Sequence, residues 1–139
     1  MMFNVLFSLN WIAIVAATVA LAVVGGLWFT VFFGKAYAVA LGRENQPQNT
    51  PGSLFIFGPL VCSFVTVVAS SILIHALKIE SMGDGLSFGA IVGFGFLTMT
   101  TVNTAINPNM PRPLFYGLIS GSYFFVSGLI TSMILVALK

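Results

Sequence analysis

Long apolar runs separated by short polar stretches set the pattern of this chain. The first runs from Trp11 to Phe33 without a charged side chain, and the second from Leu54 to Leu77, closed by Lys78 and Glu80. The third follows Asp84-Gly85 and continues to Ile106, and the fourth extends from Leu114 to Leu138 and stops at Lys139. At about 1.5 Å of rise per residue, each run covers a hydrocarbon core of about 30 Å. Backbone N–H and C=O groups in lipid must be satisfied inside their own segment, so each run is predicted to be α-helical. The expectation is an all-α membrane protein, with one transmembrane domain over residues 1–139 and a bundle of four transmembrane helices arranged as two helical hairpins. The spans fall at about residues 11–33, 54–77, 86–106 and 114–138. Glycines and threonines dilute the third span, whose hydropathy is the weakest.

The polar stretches carry turn chemistry. Lys35 to Gly42 extends the first helix into the interface, and Arg43-Glu44-Asn45-Gln46-Pro47 ends it. Ser81 to Gly85 makes a tight link. Asn107 to Pro113 holds three prolines and reads as a stiff connector that aims the last helix. Pro51-x-x-Leu54-Phe55 and Pro111-x-x-Leu114-Phe115 open the second and fourth spans alike, by a faint duplication or by chance. Trp11 and Trp28 stand about 26 Å apart along a helix. That spacing puts a ring at each membrane boundary, or leaves Trp28 packed between helices.

Helix faces add the candidate chemistry. Gly85, Gly89, Gly93, Phe96, Thr100, Asn103 and Asn107 recur at steps of three and four, so an α-helix places them on one face. Glycines four apart let a neighbouring backbone approach closely. Gly117, Gly121 and Gly128, flanked by Ser120, Ser127 and Thr131, give the fourth helix a matching surface. The two helices are expected to pack on each other or on a second subunit. Thr98, Thr100, Thr101 and Thr104 can return their hydroxyls to carbonyls one turn earlier. The Asn103 carboxamide and the Tyr123 phenol need partners outside their own helix. Thr100, Asn103, Tyr123 and Trp28 are therefore the candidate ligand-binding residues.

Composition narrows the classes. Hydrophobic residues make up 58% of the 139 and charged residues 6%, too few charges to cover a water-soluble surface. The net charge of +2 comes from Lys35, Arg43, Lys78, Arg112 and Lys139, which are scattered singly and form no nucleic-acid-binding patch. The stretch before Trp11 has no Lys or Arg and the run is too long for a signal peptide, so it is kept as a mature helix. Cys62, alone, reads as a small packing residue, and His75, also alone, as an interfacial one. No metal or cofactor set is visible, nor any catalytic constellation. No Asp, Glu, Lys or Arg lies inside a span, which argues against proton- or ion-coupled transport. The positive-inside count is three residues on the first and third loops against two on the other side. It places both termini outside the cytoplasm by one residue and leaves insertion in both orientations open.

Asn10-Trp11, then Gly26-Leu27-Trp28-Phe29 and Phe33-Gly34-Lys35, resembles the small bacterial membrane proteins grouped as domain of unknown function 1761. Nearly the whole chain takes part, with Asn103, Gly121 and Tyr123 as the later matching positions. Gly121-Ser122-Tyr123 departs from a directly adjacent Gly-Tyr pair. The resemblance implies a four-helix protein of the bacterial inner membrane and assigns no activity.

Two functions follow from the residues. In the first, a homo-oligomer binds or passes a small uncharged or amphipathic molecule between the third and fourth helices. In the second, the chain is an accessory or scaffolding subunit that packs on another membrane protein and does no chemistry. An enzyme would have only His75 as a base.

Overall fold

The computed structural model describes residues 2–47 and 49–139; Met1 and Gln48, which the expected domain of 1–139 takes in, lie outside the described residues. A 3-10 helix, Met2–Ser8, leads into α1 (Trp11–Phe32), a short α2 (Gly34–Ala40), α3 (Ser53–Ala76), α4 (Met82–Ala105) and α5 (Pro113–Ala137). No strand occurs among the described residues. The helices α1, α3, α4 and α5 are each long and apolar enough to cross a membrane, and the molecule is a bundle of four transmembrane helices.

Local chemistry sets the ends. Asn10 caps α1, its side-chain oxygen accepting from Ile12 N at 3.0 Å and Ala13 N at 3.2 Å. At Phe33 the backbone leaves the helical region, with φ of −126°, so Lys35 lies in a separate helix rather than in an extension of α1. The link expected at Ser81–Gly85 is largely helix. Ser81 Oγ accepts from Asp84 N at 3.0 Å and donates to the Asp84 carboxylate at 2.7 Å, so α4 starts at Met82, not near residue 86. Pro113 opens α5, where its missing N–H costs no helical bond.

Two segments depart from α geometry. The last turn of α1, Trp28–Phe32, and the middle of α4, Ile91–Thr98, are π-helical. Hydrogen bonds from i to i+5 there take up an extra residue per turn.

The central post is α5. In its apolar window 56% of residues are buried, against 17% for α3 and 28% for α1 and α4. The helix α4 packs along its length on α5, while α1 contacts both α5 and α3. A core of Ala13, Ile14, Ala17, Leu21, Val67, Ile74, Phe88 and Leu135 fills the half of the bundle nearer the chain ends. The first half of α3 has almost no core: Leu54, Phe55 and Val61 are all well exposed. Cys62 is exposed there too, which corrects its reading as a buried packing residue; α3 meets too little of the bundle at that level to cover it.

Candidate functional site: the groove between α4 and α5

The backbones of α4 and α5 come close along a glycine seam. A methyl group at Gly93 would stand 2.8 Å from Phe125 O, one at Gly89 2.7 Å from Gly128 O, and one at Gly128 2.5 Å from Gly93 Cα. Gly85 faces Val136, Gly117 faces Val102, and Gly121 faces Thr98.

Past Gly93 the buried face of α4 does not continue as a helix of 3.6 residues per turn would carry it. The buried positions run Gly85, Gly89, Gly93 and then Thr98, a step of five that falls inside the π segment. Phe96, expected on the inner face, is 65% exposed, and Thr100 and Asn103 are exposed as well. The register shift puts Thr98 where Thr100 was expected. Thr98 Oγ1 donates to Gly121 O at 2.8 Å, across the seam, whereas Thr101 and Thr104 return their hydroxyls to Leu97 O and Thr100 O. Periodicity alone gives no signal for a five-residue step, and Thr98, expected to bond back within its own helix, bonds across the seam instead.

The other two candidates do meet. Tyr123 is buried and its hydroxyl donates to Leu21 O at 3.1 Å; the half-buried Trp28 donates from Nε1 to Ile119 O at 3.0 Å. Their ring centroids are 6.2 Å apart, and Phe29 stands 5.2 Å from Tyr123 and 4.8 Å from Tyr37. Tyr37 in turn lies 5.8 Å from Tyr116. The polar tips of Trp28 and Tyr123 are thus used between helices, within a packed aromatic cluster that excludes Thr100 and Asn103.

Between α4 and α5 the surface holds a groove of about 310 Å³. Gly117 and Gly121 make its floor; Phe94, Val102, Leu114 and Leu118 make its walls. Its hydroxyls are occupied, Thr98 with Gly121 O and Ser122 with Leu118 O. The groove therefore offers mainly apolar contact, and its lining holds no titratable side chain. A second apolar groove of about 360 Å³ lies between α1 and the exposed half of α3, lined by Val15, Val19, Leu60 and Phe64.

At the end where the groove reaches Leu114, the loops are joined. The Arg112 guanidinium donates to Val39 O and lies 3.4 Å from the Glu44 carboxylate. Gly42, with φ of +69°, turns the chain against Pro111. The Glu44 carboxyl is held below the usual range by a backbone hydrogen bond of its own residue and then by Arg112. The Tyr37 hydroxyl is pushed up to about 12, first by burial and next by Tyr116, with Arg43 opposing. At the opposite end Asn10 Nδ2 donates to Leu138 O at 2.5 Å and Lys139 Nζ to Ile79 O at 2.9 Å. His75 Nδ1 lies 2.8 Å from Ser71 O, to which it donates. No group of three His, Cys, Asp or Glu side chains among the described residues is placed to hold a metal.

A family model described as protein of unknown function (DUF1761) matches residues 12–136. No curated protein and no solved structure matches the chain.

Proposed function

This chain belongs to the DUF1761 family, and from that premise we propose that it binds the apolar part of an amphipathic molecule in the groove between α4 and α5. The observation that carries this reading is the groove itself: about 310 Å³, floored by two glycines, with its hydroxyls satisfied within the protein. That volume lies at the small end of the range for ligand sites, about 300–1,000 Å³. A mostly apolar lining whose two hydroxyl protons are already donated within the protein selects apolar surface, because a polar group placed there would lose most of its water for few partners. The groove opens sideways past the exposed Leu114 and Leu118, as access from a bilayer requires. The expected setting is a bacterial inner membrane.

Leu118 is 65% exposed, so Leu118→Trp fills the groove without disturbing the seam. Native mass spectrometry of protein purified in mild detergent is expected to show a retained chain-bearing molecule in the wild type. Retention should fall about tenfold, or about 1.4 kcal/mol, in the variant. Equal retention in both would refute the reading.

A second reading, an accessory subunit of a larger membrane complex, draws on the exposed first half of α3. On that reading Val61→Trp disrupts the complex and leaves the retained molecule in place.

A further inference from the structure

The occupant of the groove can be narrowed by its length and by the charge at its rim; this step rests on the groove reading above. From Phe125 to Leu114 the groove follows α5 over about 16 Å, at about 1.5 Å of rise per residue. Half of a hydrocarbon core of about 30 Å is about 15 Å. The groove therefore matches one leaflet, from the middle of the span to the face that carries the loops after α1 and α4. A helix from a second copy would need a groove along the whole span. An acyl chain needs half of it.

The rim supplies net positive charge. The face at the Leu114 end carries Lys35, Arg43 and Arg112 against the single carboxylate Glu44, while the opposite face carries Lys78 and Lys139 against Glu80 and Asp84. Arg112 stands two residues before Leu114, and its side chain is 46% exposed. Its bonds to Val39 O and Glu44 leave N–H groups of the guanidinium open, and Glu44 at 3.4 Å is a long partner for it. A phosphate presents several oxygens to the same planar fork at shorter range.

We propose that the groove and Arg112 together bind an anionic glycerophospholipid of that leaflet, one acyl chain between α4 and α5 and the phosphate on the Arg112 guanidinium in competition with Glu44. A zwitterionic lipid brings the same chain, but its choline cation offsets the attraction of the rim.

The test titrates delipidated full-length protein in detergent with palmitoyl-oleoyl phosphatidylglycerol or phosphatidylcholine and counts bound lipids by native mass spectrometry. Wild type should prefer phosphatidylglycerol about tenfold. Arg112→Gln should bring phosphatidylglycerol down to the phosphatidylcholine level. Glu44→Gln, which frees the guanidinium, should keep or raise the preference. Leu118→Trp should weaken both lipids alike. No preference in the wild type, or a preference that survives Arg112→Gln, overturns the headgroup assignment. So does a loss in Glu44→Gln as large as in Arg112→Gln, since Arg112 would then act only by holding the loops together. Full binding of both lipids by Leu118→Trp overturns the groove reading instead.

Discussion

Asn10 serves two helices at once. Its carboxamide oxygen caps α1 and its nitrogen donates to Leu138 O near the end of α5, so one small side chain satisfies backbone groups of both. Trp28 and Tyr123 do related work further along, each donating across α1 and α5 to a main-chain carbonyl. Three of the positions that carry the family resemblance thus join the same two helices. Gly25 makes room for one of these bonds, since a methyl group there would stand 2.8 Å from the Tyr123 hydroxyl. Tyr123→Phe keeps the ring and removes only the hydroxyl. It is expected to cost about 0.5–1.5 kcal/mol, nearer about 0.6 by the average for bonds between membrane helices. Unfolding in detergent by heat or denaturant, followed by intrinsic fluorescence, measures it. At this scale the sequence marks Tyr123 as a phenol that needs a partner and leaves Trp28 between a membrane boundary and a place between helices, and the chain separation between them hides that they meet. Asn103 was singled out by the same logic and stands exposed, because composition does not say which way a helix is turned.

At the scale of elements, the four spans were legible because hydropathy and length are properties of a segment and survive any rotation of it. The inner face of α4 was not. Glycines four apart lie on the buried side of α4 as far as Gly93, after which the π segment moves the buried position to Thr98. Nothing in residue type separates i→i+5 from i→i+4 bonding here, so the error lies in assuming one period throughout. The start of α4 was missed for a similar reason, since Ser81 and Asp84 read as a turn until their reciprocal bonds make them a cap. The glycines themselves differ in what surrounds them. A Cβ at Gly128 meets the backbone of Gly89 and Gly93, while at Gly26 nothing lies within 4 Å. Gly128→Ala should destabilise by at least about 1–3 kcal/mol, the usual cost of overpacking, and Gly26→Ala should be neutral or gain up to about 1 kcal/mol from helix propensity. Paired melting curves in one detergent give the comparison, and equal melting of the two variants would contradict the seam described here.

For the molecule as a whole, the long-range bonds have one thing in common. Trp28 and Thr98 reach Ile119 O and Gly121 O, Tyr123 reaches Leu21 O, Asn10 reaches Leu138 O, Arg112 reaches Val39 O and Lys139 reaches Ile79 O, so each has one end on α5 or within two residues of it. The helix that the others lean on is also the fourth of the long helices to be synthesised. Until it is made, α1, α3 and α4 have only one another to pack on, and the Gly89 and Gly93 face of α4, the Thr98 hydroxyl and the Trp28 indole lack the α5 groups they meet in the fold. Assembly of the seam waits for Pro113–Ala137, and until then the groups that this helix covers stay open. A chain stopped after Asn109 should therefore be cleared several times faster than the complete one in a pulse-chase experiment. Supplying Pro111–Lys139 as a separate peptide from the same cell should restore its lifetime.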